Sequence, residues 1–160
     1  MLTALRNNAM WTVCFTVSTV YLGFVLAVLL DQRIKGEAIF RTIFVFPFAV
    51  SAIVTGVAWR WLMQPTTGLN LLVQKLGFEN FYFEWNAHPK WGILAISIAA
   101  AWQFTGYIMS LYLAGLRGIS EEIREAALVD GAGTWALYRR IIIPLLMPVT
   151  WTALVLTGMG

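Results

Sequence analysis

Four stretches of the chain carry no Asp, Glu, Lys or Arg: residues 7–30, 42–59, 91–116 and 141–160. Each approaches or exceeds the roughly 18–20 apolar residues that cross a bilayer core as a helix. A buried helix of a soluble domain seldom runs so far without a charge. The pattern predicts an all-α fold, a polytopic transmembrane helix bundle with spans at about 9–30, 42–59, 91–116 and 141–160. Polar connections at 31–41, 60–90 and 117–140 join them.

Departures from plain hydrophobicity predict the detail. Thr12, Thr16, Ser18 and Thr19 are tolerable in the first span because hydroxyls bond back to the helix backbone. Asp31-Gln32-Arg33 ends it, and the short connection beyond predicts an antiparallel pair with the second span. Pro47 removes a backbone donor inside the second span and predicts a kink. Trp59 and Trp61 bracket Arg60, the arrangement of interfacial rings beside a snorkelling cation. Gln64-Pro65-Thr66-Thr67-Gly68 reads as a turn, followed by a short amphipathic helix over Leu69–Leu76 and an aromatic-rich stretch from Phe78 to Trp85. In the third span Ala95 and Ala99, then Gly106, Ser110 and Ala114, recur every fourth residue and predict a smooth face for close helix packing. Gln103 is the one amide deep in a span. Left unpaired in hydrocarbon it costs roughly 2–7 kcal/mol, so it faces protein or a wet pathway. Pro144 and Pro148 fall in the first turns of the fourth span, where missing donors matter least.

The connection 117–140 carries too much pattern for a bare loop. Ser120 can cap a helix whose first turn holds Glu121 and Glu122, the favoured sign for a helix N-terminus. Ile123, Ala126, Ala127 and Asp130 follow at helical spacing and make a narrow face suited to short-range packing. Gly131-Ala132-Gly133 ends the helix, and Thr134 can cap a second one leading through Arg139-Arg140 into the fourth span. The expected product is a helix–turn–helix that projects from the membrane.

Charge places that projection. The chain is 59% hydrophobic and 12% charged, with a net charge of +3. Its basic residues stand at the ends of apolar runs, not in a stripe, so a nucleic-acid partner is excluded. Connections 31–41 and 117–140 hold Arg33, Lys35, Arg41, Arg117, Arg124, Arg139 and Arg140 against Arg6, Arg60, Lys75 and Lys90 elsewhere. The positive-inside rule puts those two connections in the cytoplasm, with the N-terminus and 60–90 outside. An outside N-terminus without a signal peptide, and an end inside an apolar run, predict a fragment lacking at least one span before residue 1 and sequence after residue 160. The single cysteine, Cys14, excludes an internal disulfide and reads as a small buried hydrophobe. His88 is the sole histidine and reads as a solvated loop residue, so no metal site is expected. No His, Asp or Glu lies in a span to serve an intramembrane enzyme, so no catalytic residues are assigned.

Glu125-Ala126-Ala127, Gly131, Ile141 and Pro144 stand in the register of the signature loop of membrane subunits of binding-protein-dependent ABC importers, which the chain resembles. Ile143 departs from the leucine usual there, and Ser120 from a frequent proline. Phe40-Arg41-Thr42, Phe46-Pro47, Trp59-Arg60-Trp61-Leu62, Trp102-Gln103, Leu113-Ala114-Gly115-Leu116 and Asp130-Gly131-Ala132 look like its carbohydrate branch, the maltose and glycerol-phosphate permeases. Members usually have six spans, and the four here resemble the second to the fifth.

That resemblance implies a permease subunit in a bacterial or archaeal inner membrane, importing a sugar or related solute. Its partners would be ABC ATPase subunits, a second permease subunit, an extracytoplasmic solute-binding protein and membrane lipid. The chain has no GxxxxGK[ST] loop, so ATP is used by the partner ATPase and no cofactor is bound here. Glu125, Ala126, Ala127, Asp130, Gly131, Ile141 and Pro144 would form the ATPase-docking loop, with Ala126 and Ala127 as the close-approach face. Trp102, Gln103 and Tyr107 are the set available to a sugar on the third span, although Trp102 and Tyr107 fall on differing faces. The alternatives are a permease for a non-sugar solute and a membrane scaffold without transport.

Overall fold

The computed structural model describes residues 1–32, 34–78, 80–85 and 91–159. His88, together with Arg33 and Lys90 of the charge count and Gly160 of the fourth span, lies outside the described residues. The described residues form helices joined by turns. They are α1 (Leu2–Asp31), α2 (Glu37–Ala49), α3 (Ala52–Leu62), α4 (Leu69–Lys75), α5 (Gly92–Gly118), α6 (Glu121–Val129), α7 (Thr134–Leu137), α8 (Ile143–Leu145) and α9 (Met147–Gly158). A single π-helical turn, Tyr138–Ile142, joins α7 to α8.

Among the described residues, α1 and α5 alone are each long and apolar enough to cross a bilayer unaided. In the most apolar window of α5 44% of residues are buried, against 28% in α1, so α5 is the central helix. The two run in the same direction, as their ring contacts show: Phe15 meets Phe104 edge-on at 5.6 Å, and Phe24 meets Tyr112 at 5.4 Å. α2 runs antiparallel to both, but it packs on α5 and not on α1. Its Glu37 pairs with Arg117 at 2.6 Å, and Phe48 lies against Phe104 and Tyr107. The expected α1–α2 pair is thus replaced by two helices that both pack on α5. The small residues of α5 explain the choice: a Cβ at Gly106 would collide with the carbonyl of Phe44 and the Cα of Val45. Backbone meets backbone there, which only glycine permits. Ala95 and Gly106 are buried, while Ala114, placed in the same stripe by spacing, is exposed.

The second span is broken where a kink was expected. Pro47 lies within α2, and the chain unwinds three residues later at Val50-Ser51, both extended. α3 leaves at 98° to α2. The interrupted backbone is not left orphaned, because Gln103 Nε2 donates to the Val50 carbonyl at 2.8 Å. A tertiary hydrogen bond thereby stabilises a break that the apolar pattern hides. Trp59 turns inward onto Trp102, with ring centroids 5.8 Å apart, so only Trp61 keeps the exposed interfacial posture expected of both.

The fourth span is bent by 63° between residues 134–145 and 147–158. Pro144 and Pro148 sit at the starts of α8 and α9, and the break falls between them at Leu146. At the bend Tyr112 Oη donates to Thr150 Oγ1 at 3.0 Å, and Thr150 Oγ1 donates to the Leu146 carbonyl at 3.1 Å.

On the opposite end of the bundle, α4 closely matches the short helix expected at 69–76. Fully buried Asn70 organises this connection: its Nδ2 donates to the carbonyls of Pro65 and Phe83, each at 2.9 Å, and its Oδ1 accepts from Trp85 Nε1 at 2.8 Å. Gln74 Nε2 donates to the Phe81 carbonyl at 2.8 Å.

Candidate functional site: a projecting helix tied to two membrane helices

α5 ends at Gly118, and two extended residues, Ile119 and Ser120, turn the chain into α6. Ser120 occupies the position before the helix, but its hydroxyl makes no capping bond. Thr134 likewise is the first residue of α7, with Gly133 in the capping position. The expected side-chain caps are therefore absent, and Glu121 and Glu122 alone complement the N-terminal dipole of α6.

The end of α6 is closed by backbone hydrogen bonds. Gly131 N donates to the Leu128 carbonyl at 3.0 Å and Ala132 N to the Ala127 carbonyl at 2.9 Å. This pair is the Schellman arrangement, with the left-handed residue just past the helix. Gly131 fills that place at φ +77°. Ala132 then packs beside buried Ala127, the apolar contact that usually accompanies such a stop.

The structure divides the predicted docking residues between two faces. Glu125, Ala126, Asp130 and Gly131 are exposed on the loop. Ala127 is 5% exposed and belongs to the same core cluster as Leu30, Leu116 and Ile142. Ile141 is half-buried against that cluster, and Pro144 is exposed on α8. Ala127 is thus a hinge-side packing residue, not part of an outward close-approach face. Helical spacing put Ala126 and Ala127 together, but adjacent residues are about 100° apart and need not share a face.

Arg124 is the functional candidate that sequence reasoning passed over. Its Nη1 donates to Asp31 Oδ2 at 2.9 Å, and its Nη2 donates to the Leu116 carbonyl at 2.9 Å. The two side chains are 19% and 8% exposed. One guanidinium therefore joins α6 to the ends of α1 and α5. The nearby Arg117–Glu37 pair joins α5 to α2. These bonds place connections 31–41 and 117–140 at one end of the bundle, as the charge pattern predicts. Between them lies an open cleft of about 710 Å³ lined by Asp31, Glu37, Arg117, Glu121 and Arg124 among others. The separate signals were visible in sequence, an acid ending the first span and a base in the loop, but nothing local pairs residues this far apart.

The third-span candidates do not converge. Gln103 is spent on the Val50 carbonyl, as a helix–helix bond. Tyr107 is stacked on Phe48, ring centroids 4.6 Å apart and planes 12° apart. Trp102 lies on another face, 46% exposed, beside a small apolar hollow of about 260 Å³ shared with Trp59 and Thr55. No group of three or more His, Cys, Asp or Glu able to hold a metal ion occurs among the described residues.

Comparison with known proteins gives this geometry its family. Residues 13–160 match the family model described as binding-protein-dependent transport system inner membrane component. A probable ABC transporter permease protein of Pyrococcus horikoshii is 47% identical over 154 residues, covering 96% of this chain and 53% of that protein. A xylose/arabinose import permease protein of Haloferax volcanii is 40% identical over 153 residues, covering 95% of this chain and 48% of that one. The chain thus spans about half the length of the curated relatives it matches. In the crystal structure of a bacterial alginate ABC transporter bound to a periplasmic protein carrying an alginate pentasaccharide, one chain superposes with a TM-score of 0.82 at 21% identity. That match covers 95% of this chain and 53% of the other, and it speaks for the fold. The chain belongs to the binding-protein-dependent transport system inner membrane components, the family of its ABC permease relatives.

Proposed function

We propose that this chain is part of the permease subunit of an ATP-driven importer that moves a sugar or related solute across the inner membrane. Residues 117–140 receive a separate ATPase, which supplies the energy; the chain itself holds no nucleotide. A second permease subunit and an external solute-binding protein complete the assembly. One observation carries the reading: α6 displays Glu125 and Ala126 outward while both of its ends run into membrane helices. A soluble partner that grips this helix gains purchase on the bundle. Glu125 offers it a polar contact, Ala126 a flat place for close approach, and the Gly131 turn a fixed end. The sugar substrate is supported by the xylose/arabinose import named for one relative and by the half-exposed ring of Trp102, an apolar plane of the kind sugars stack on.

Disulfide cross-linking tests this. The full-length permease with Cys14→Ser and Ala126→Cys is expressed with an ABC ATPase carrying cysteines along its membrane-facing groove. Position 126 is expected to cross-link in an ATP-sensitive way, and Ala127→Cys, buried in its own chain, far less. An inserted, folded protein that cross-links at neither position moves the reading to a scaffold without transport.

A further inference from the structure

We propose that Arg124 is the positioning residue through which the projecting loop drives the bundle. Its guanidinium makes α6, α1 and α5 move as one body, and the fourth span takes up the displacement by bending at Leu146. This inference rests on the ATPase-docking reading of the loop.

The loop leaves the membrane helices by two routes of unequal stiffness. Toward α5 the covalent link is only Ile119-Ser120, two extended residues that alone would act as a free joint. Arg124 bridges that joint, with one nitrogen on the Leu116 carbonyl and another on Asp31. A planar guanidinium with two directed bonds fixes orientation as well as distance, which a lysine would not. The pair is mostly sheltered from water, so it is screened less than a surface ion pair. Beyond the latch α1 and α5 are already one packed unit: a Cβ at Gly23 would press into Ile108 at 2.7 Å. Toward α9 the path is soft. It runs through the π-helical turn, then Pro144, the 63° bend at Leu146 and Pro148. Such irregularities are where helices yield. Force applied to α6 is therefore delivered to the α1–α5 pair, and α9 changes its angle against them.

The test uses the complete transporter in lipid, with Cys14→Ser, ATP as the only ligand, and spin labels at Val13, Ile98 and Val155. The expected result is an ATP-dependent shift in the Val13–Val155 separation, between α1 and α9, with Val13–Ile98, between α1 and α5, unchanged. Arg124→Gln and Asp31→Asn should each abolish that shift while the ATPase cross-link at position 126 persists. Replacing both residues by cysteine and bridging them with a reducible bifunctional thiol reagent should restore the shift, and reduction should remove it again. A shift that survives both single substitutions, or a Val13–Ile98 separation that changes with ATP, overturns the latch. So does loss of ATPase assembly in the variants, which would make Arg124 a folding residue only. A transporter with Ala126→Cys that keeps Arg124 and Asp31, folds and inserts, yet gives no cross-link to the ATPase sinks the docking reading itself, and the latch with it.

Discussion

At the scale of single residues, Gly131 and Gly106 show two different reasons for glycine. Gly131 has open space around a would-be Cβ but a left-handed backbone; Gly106 has an ordinary backbone and no space. Gly131→Val therefore incurs conformational strain alone, about 1–3 kcal/mol, borne at the end of α6. The expected outcome is a frayed α6 and a lower cross-linking yield from position 126 to the ATPase, with membrane insertion unchanged by protease protection. Equal yields would show that the ATPase does not need this turn. The glycine of the turn was legible because a helix stop followed by a reversal demands a positive φ. The burial of Ala127 was not. A short amphipathic helix has two sides, and composition does not tell which one meets its own chain.

At the scale of elements, continuous apolar runs were read as continuous helices, and the two bent spans correct that. Hydropathy reports what a segment can be dissolved in, not whether its hydrogen-bond ladder is unbroken. Pro144 and Pro148 do fall in first turns, as expected, but in the first turns of α8 and α9 on either side of a bend, not in those of one continuous span. The break at Val50 depends on a partner 53 residues away, which local pattern cannot carry. Gln103→Leu should leave that carbonyl without its donor. The expected destabilisation is about 0.6–1.7 kcal/mol, the range for buried hydrogen bonds between membrane helices. It is measured as the unfolding free energy in mixed micelles, with Gln103→Glu compared at low pH, where the protonated acid can donate again. An unaltered unfolding free energy for Gln103→Leu would mean that the break needs no donor from α5.

At the scale of the whole molecule, a simple count of basic residues grouped connections 31–41 and 117–140 on one side, and the geometry brings them to one end of the bundle. Asp31 and Glu37 meet Arg124 and Arg117 at one end, while the Asn70-centred unit occupies the other. In the Cys14→Ser background, a membrane-impermeant thiol reagent added outside intact cells is expected to label Lys75→Cys and to miss Val129→Cys, both exposed positions. The reverse pattern would invert the molecule. The all-helical class, the order of the spans and the projecting helix were all legible, because bilayer thickness and backbone hydrogen bonding leave few alternatives. The central role of α5 was legible only in part. Its small residues announced close packing, but not that α1 and α2 would both choose it in preference to one another, nor that α9 would pack on α1 and α5 together.

The break between α2 and α3 also bears on how such a chain is assembled. While a nascent chain enters the membrane, residues 42–59 arrive well before Gln103 has been made. A bare carbonyl in lipid is costly, so until then the segment is best accommodated as one unbroken helix. The sharp turn becomes favourable only once the later helix brings its amide alongside. The native path of the second span is in this sense written by the third, and maturation of the fold includes bending a helix that has already been inserted.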